Sequence, residues 1–406
     1  MNVVFVAPYF TGNTHRALLS FLNLPGTQVA LISHDALERV PESVRQRIVG
    51  HYQVRDSLDP DQLVEAGRYF QRKLGRVDRL IGFLEQMQVP LGAARDRLGV
   101  EGMGEAVALN FREKNRMKEV LRAAGLPVAR QALLKGAEDA RRFIAQVGYP
   151  IVVKPPAGMG SKATMRAFDD ESLMEALESL HVSPSNPAQA EEFIRGDEHT
   201  FETVSVKGVP VWSSSSYYLP GPLEVLENPW MQYCVLLPRE TLPPHAQAFQ
   251  ATNHAALKAL GIHTGLSHME WFHLSSGRAV VSEVGARPPG VHLMPLMGLA
   301  HGVEMWAKWA ELMTFERFEM PERVASVGVC FFRGQGRGQT VRAVHGVEAA
   351  QAQAGVWVVE HQLPRVGQLK SDSYEGEGWA IVRSPDTQTT LGALRALVTN
   401  VQVELG

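Results

Sequence analysis

The first hundred or so residues alternate β-rich runs with helix-patterned segments, and this restricts the fold more than any other feature, because the alternation calls for a parallel sheet with helices packed against it. Val3–Ala7 reads as a buried strand, Pro8 to Asn13 as a turn, Thr14 to about Leu22 as a helix, and Gln28–Ser33 as a second strand at β-α-β spacing. Ligands bind such units at the first strand-to-helix turn. Here, however, Pro8-Tyr9-Phe10-Thr11-Gly12 lacks the Gly-x-Gly-x-x-Gly fingerprint, so a nicotinamide dinucleotide is not expected.

The chain has 406 residues, which at roughly 150 per domain predicts two or three folding units. The pattern divides into an N-terminal parallel α/β domain (1–110), a central α/β region (111–320) and a small α+β unit (321–406). In the central region Glu113–Ala124 carries Met117, Val120 and Leu121 on one helix face and stops at Gly125. Ala137–Val147 is amphipathic and ends at Gly148-Tyr149-Pro150, so Ile151–Val153 must leave the helix and extend. Glu171–Leu180, Thr252–Leu260 and Val303–Met313 read as helices, and Ala188–Thr203, Val209–Ser214, His268–Leu274 and Ala279–Val284 as strands. Ser213 to Arg239 is the least regular stretch and reads as a long loop ordered by binding. Beyond Pro321, strands are expected at Val324–Arg333, Val356–Glu360 and Gly378–Val382, with a helix near Thr389–Thr399. No internal repeat or low-complexity tract interrupts this order.

Forty basic against 43 acidic residues leave a formal charge of −3, which gives no overall field to draw nucleic acid or an anionic membrane. Met1–Ala7 has no basic run and too short an apolar stretch for a signal peptide, and no run approaches a membrane span of about eighteen apolar residues. A cytoplasmic protein is expected. Cys234 and Cys330 lie outside any zinc-like spacing and read as buried apolar groups. No Ser/His/Asp or Cys/His constellation is visible.

Three stretches carry chemistry. In Val152 to Lys162 (VVKPPAGMGSK) a strand delivers Lys154 into a small-residue loop with a second lysine. Such a loop suits a polyphosphate, whose oxygens backbone amides approach closely while ammonium groups neutralise them; a tight hairpin with a solvated lysine fits the same letters. Glu270 and Glu283 sit inside apolar strand patterns joined by the turn Ser275-Ser276-Gly277, so a hairpin places the two carboxylates near each other. A divalent cation between them, or separate pairing with arginines, would offset the repulsion. Ala190 to Phe201 (AEEFIRGDEHTF) alternates acids around a hydrophobic pair. It could present acceptors to an adenine and a ribose, or form a solvated charged loop.

Asn110 to Gly125 (NFREKNRMKEVLRAAG), VVKPPAGMGSK, AEEFIRGDEHTFE, HMEWF and EVGARPPG together resemble, in order and distance, the ATP-grasp superfamily over about residues 1 to 400, and within it the carboxylate–amine ligases that make dipeptides and related amides. The resemblance implies an α/β ATP-grasp fold with nucleotide between two lobes of the central region. It implies that Lys114 and Lys154 contact the phosphates and that Gly158, Gly160, Ser161 and Lys162 belong to the loop closing over them. Glu191 would meet the adenine amino group, the backbone at Phe193 and Ile194 the ring edge, and Glu198 the ribose hydroxyls. Glu270 and Glu283 would hold magnesium, with manganese as an alternative. Arg287 would reach the γ-phosphate and an acyl-phosphate formed from it, and His292 the substrate.

The activity implied is an ATP-dependent ligase forming an amide through an acyl-phosphate, with amino acids as the acid and the amine, no nucleic-acid or membrane partner, and a homodimer as one arrangement. A carboxylating relative and a non-catalytic ATP-binding module are the alternatives. Gly285 stands where the family carries a metal-binding asparagine, Pro289 where glycine is common, and Ala163 where the phosphate loop has glycine. His263, His268 and His273, spaced by five, alternate faces of an extended strand and cannot converge on one metal. Trp306, Trp309, Met294, Met297 and Met313 read as core residues. Substrate contacts are expected from the loops Tyr9–Asn13, Ser213–Trp230 and Gly290–Leu293.

Overall fold

In the computed structural model, which describes residues 1–156, 163–228 and 230–406, the N-terminal alternation forms a parallel sheet. Its strands β1 (Asn2–Val6), β2 (Gln28–Ser33), β3 (Gly50–Gln53) and β4 (Arg79–Ile81) lie in the order β3-β2-β1-β4. Val3 and Phe5 pack with Leu18 and Phe21 of the helix Gly12–Leu22, whereas Val4 and Val6 pack with Phe70 and Leu91 from the helices Pro60–Leu74 and Gln88–Leu98. Burial on both faces is why β1 reads as an unbroken apolar run. The first helix starts at Gly12, two residues before its apolar pattern, because the Thr11 hydroxyl accepts from the Thr14 amide at 3.2 Å.

The strands β5 (Gln131–Leu134), β6 (Ile151–Lys154), β7 (Met165–Ala167) and β8 (Ala188–Glu192) form an antiparallel sheet ordered β5-β8-β6-β7. The helices Ala137–Val147 and Asp170–Ser179 cover one face through Phe143 and Leu173. β9 (Asp197–Val206) follows after a break at Phe193–Gly196, where one continuous strand was expected. A Cβ on Gly196 would lie 2.6 Å from the His273 carbonyl oxygen, so the chain passes there only with glycine.

β10 (Val209–Leu219), β11 (Tyr233–Leu237), β12 (Gly265–His273) and β13 (Ala279–Gly285) continue the large sheet. The long loop expected from Ser213 to Arg239 is corrected here: β10 runs to Leu219, a short helix spans Pro222–Glu227, and β11 follows. Ser213 to Ser216 look like loop residues, yet all four are buried and bond inside the sheet, Ser215 Oγ to the Thr200 carbonyl at 2.9 Å and Ser216 to the Thr200 hydroxyl at 2.5 Å. The C-terminal strands are β14 (Ser326–Phe332), β15 (Gly334–Gln335), β16 (Val341–His345), β17 (Val358–Gln362), β18 (Gly378–Ser384) and β19 (Gln402–Leu405). β14, β18 and β17 extend the large sheet to the order β13-β12-β9-β10-β11-β14-β18-β17, and β15, β19 and β16 make a small sheet. The elements expected after Pro321 are therefore present, but they share a sheet with the central region. The large sheet thus crosses the boundary expected at 320.

Cys234 and Cys330 are buried, free and paired in register across β11 and β14. Trp306, Trp309, Met294 and Met297 lie in the main core, with Met313 packed against it. Among the described residues no helix is long and apolar enough to cross a membrane.

Candidate active site

A cleft lies between the small antiparallel sheet and the β12–β13 edge of the large one. The first wall is built by β6 and β8, which bring Val152, Lys154, Glu191 and Glu192 to it; Phe193 and Ile194 follow directly from β8. The second is built by β9, β12 and β13, which bring Glu198, Glu270, Phe272 and Glu283. Lys114 enters from the start of the helix Lys114–Ala123, and Arg287 from the loop after β13. The motifs spread from 114 to 287 thus meet at one place. Gly158, Gly160, Ser161 and Lys162 lie outside the described residues.

Lysines and glutamates are interleaved in this space. Glu191 Oε2 pairs with Lys118 Nζ at 2.7 Å and Lys154 Nζ at 2.9 Å, while its Oε1 is buried without a partner. Burial works against the Glu191 charge, but the two ammonium groups outweigh it and hold the carboxyl down at about 2. Burial pulls Lys118 down to about 8. Lys114 pairs with Glu283, whose carboxyl burial would raise but Lys114 and Lys154 hold down. The charged face of the helix is therefore not solvated: Lys114 and Lys118 are 5% and 1% exposed.

Glu270 and Glu283 are directly opposed in the β12–β13 ladder, next to a bulge after Glu270. Two like charges facing each other across strands are unfavourable. Glu198 adds a third carboxylate from β9, and burial, reinforced by the charge of Glu270, pushes it up to about 8. Tyr218 donates to Glu270 at 3.4 Å. Burial would lower His268, but its bonds to Glu202 (2.8 Å) and to Glu270 raise it to about 9. The facing carboxylates of Glu270 and Glu283 are hard oxygen donors, which fit a divalent cation such as magnesium. The orphaned Glu191 Oε1, the three lysines and the apolar Val152, Phe193, Ile194 and Phe272 fit a nucleotide.

Arg287 donates Nε to Glu85 Oε2 at 2.5 Å and Nη1 to the Pro288 carbonyl at 3.0 Å. It also lines a second cavity, shared with Gly82, Gln88, Arg95, Ala286 and Trp309, that runs along the edge strand β4. The space that a side chain at Gly285 would enter is bordered by Glu85, whose Oε2 is 3.5 Å from the position of a Cβ. His292 does not line the cleft. It precedes the helix Leu293–His301, rests 4.5 Å from the Trp379 ring and 5.6 Å from the Phe331 ring, and is pushed down to about 4 by burial. Its aromatic contacts are thus with rings outside the cleft.

Of the loops expected to touch substrate, Tyr218, Pro222, Leu223, Gly290 and Val291 line the cleft, while Tyr9–Asn13 does not. Sequence reasoning missed Glu85, Lys118, Tyr218, His268 and Tyr374 as individual cleft residues. Lys118 carried a signal, since it stands four residues after Lys114 and shares its helix face.

A cleft between two sheets that combines a strand-borne lysine with a dicarboxylate hairpin is the arrangement that the ATP-grasp resemblance implies. The comparisons agree: residues 113–197 match the model of the carbamoyl-phosphate synthase L chain, ATP binding domain. The chain is 24% identical over 293 residues to the L-arginine-specific L-amino acid ligase of Bacillus subtilis, covering 71% of this chain and 70% of that protein. It is 28% identical over 267 residues to the carbamoyl phosphate synthase large chain of Kocuria rhizophila, covering 63% of this chain but only 22% of that one. The crystal structure of the L-amino acid ligase from Bacillus licheniformis superposes with a TM-score of 0.76 at 20% identity, covering 100% of this chain and 98% of that one. The chain therefore has the ATP-grasp fold of these structural neighbours, and the family match is confined to residues 113–197.

Proposed function

We propose that this protein is an ATP-dependent carboxylate–amine ligase that joins amino acids through an amide bond, releasing ADP and phosphate. The observation that carries the reading is the position of Arg287, which lines both the cleft of lysines and carboxylates and the second cavity along β4. A guanidinium there can hold a phosphoryl group from one side and a substrate carboxylate from the other.

Lys114 and Lys154 hold the phosphate chain and Glu191 Oε1 accepts from the adenine amino group. Glu198 accepts from the ribose. Glu270 and Glu283 would hold magnesium, or manganese, which supplies neutralisation of phosphate charge when bound. A carboxylate oxygen of the acid substrate attacks the γ-phosphorus as the bond to the β-phosphate oxygen breaks. The amine nitrogen then attacks the acyl carbon, phosphate departs, and the amine proton passes to it or to water. Arg287 neutralises the acyl-phosphate, and Glu85 fixes the direction of the guanidinium. No side-chain nucleophile is needed, since placement and charge neutralisation carry phosphoryl transfer.

A screen of amino-acid pairs for magnesium-dependent ADP release tests the reading. Release that requires both an acid and an amine supports it. Nucleotide binding without ADP release for any pair would overturn it, and release that requires bicarbonate would move the protein to the carboxylating relatives.

A further inference from the structure

The faces of β9 alternate, so the strand that sends Glu198 into the cleft sends Asp197 and His199 to the opposite side of the large sheet. There His273 of β12 is the ladder partner of Asp197, and Trp271 that of His199. One ligand atom from each of Asp197, His199 and His273 lies within 4.8 Å of the others. A further ring arrives from the helix Pro244–Leu260: His245 is centred 4.7 Å from His199 and 5.5 Å from His273.

Two nitrogens in this group are unsatisfied. His199 is 4% exposed and its Nδ1 has no hydrogen-bond partner, and the buried Nε2 of His245 has none either. Orphaned buried polar atoms are uncommon and each costs roughly 1–3 kcal/mol. Asp197 is exposed and His273 partly so, which leaves a path from solvent.

The geometry points to a binding site for one transition-metal cation of the zinc class, held by Asp197, His199 and His273 with His245 completing the shell. Imidazole-rich sites with one carboxylate suit zinc, cobalt, nickel or copper, whereas magnesium prefers oxygen alone. The ligand atoms of a tetrahedral zinc ion are about 3.3 Å apart at ordinary bond lengths. Rotation of the accessible Asp197 and His273 side chains closes the remaining distance. Spacing by five kept His263, His268 and His273 apart in the sequence; this group forms because strand pairing and a helix supply other partners to His273.

The test is cobalt(II) titration of the full chain at neutral pH, read by visible d–d absorption, with zinc then competing for the site under excess magnesium. One equivalent is expected, with the band of a tetrahedral ion. His273→Ala and His245→Ala should weaken zinc by about 100-fold or more, beyond the roughly 10–100-fold lost with an outer-shell partner. Asp197→Asn, at an exposed position, serves as the variant least able to disturb folding and should also weaken it. Glu283→Gln should leave the stoichiometry and the band unchanged. Absence of a band in the wild-type chain would overturn the site, as would binding lost in Glu283→Gln and retained in His273→Ala, which would put the ion in the cleft.

Discussion

At the scale of single residues, the cleft is governed by carboxylates whose charge is tolerated only in company. Glu283 has Lys114 beside it and Glu270 opposite. Glu283→Gln should reduce magnesium-dependent ADP release by roughly 10²–10³-fold, the scale of one lost electrostatic contact to developing charge; near-normal release across a magnesium titration would show that the metal is held elsewhere. Glu198 supplies a pH dependence. Its folded carboxyl is raised to about 8 against an ordinary 4.5, so the folded state binds the extra proton. That stability is fully present below the unfolded value and is lost as pH rises through about 8. His268, raised to about 9, acts in the same direction between its ordinary 6.5 and that value. Without ligands, thermal unfolding should therefore show Glu198→Gln gaining on the wild type from pH 5 to pH 8.5. A constant difference across that range would mean the carboxyl is ionised throughout.

At the scale of elements, β10 shows where sequence and structure part. Strands such as β1, β2 and β6 were legible because their apolar side chains report burial directly, and the helix Ala137–Val147 because its period and terminal glycine agree. The serine run of β10 reports nothing of the kind, since its hydroxyls are satisfied by partners distant in sequence. Arg323, itself 2% exposed, donates Nη2 to Ser214 Oγ at 2.5 Å and Nη1 to the Pro238 carbonyl at 2.8 Å. Arg323→Met strands these acceptors and should lower stability by about 3 kcal/mol in urea unfolding; a loss below about 1 kcal/mol would mean that water takes over the bonds. The same physics limited the reading of the site. Lys154, Glu191, Glu270 and Glu283 stood out because charge is unusual on strands, whereas Glu85 lies in the N-terminal domain and became visible only through its contact with Arg287.

At the scale of the whole molecule, the large sheet ties the cleft to the C-terminus. β14 covers β11, and its buried Val327, Val329 and Phe331 join the main core that also holds Val235 and Leu266. A chain ending at residue 320 would leave β11 as a bare apolar edge, a template for aggregation. It should show no cooperative unfolding by circular dichroism, while the full chain does. A cooperative transition in the shortened chain would restore the C-terminal segment to the status of an independent unit.

In the structure each of the three cleft lysines already has a counter-ion: Lys114 has Glu283, and Lys118 and Lys154 divide Glu191. A phosphate chain entering this space exchanges partners instead of filling a void. Capture of Lys114 releases Glu283, and capture of Lys154 leaves Glu191 to Lys118 alone; a released carboxylate among others calls for a cation. Entry is then a double displacement, anion for anion on the lysines and cation for cation on the glutamates, with each half unfavourable alone. Nucleotide and metal enter as one neutralised guest, so calorimetric titration without magnesium should show nucleotide affinity lower by at least about tenfold, or 1.4 kcal/mol.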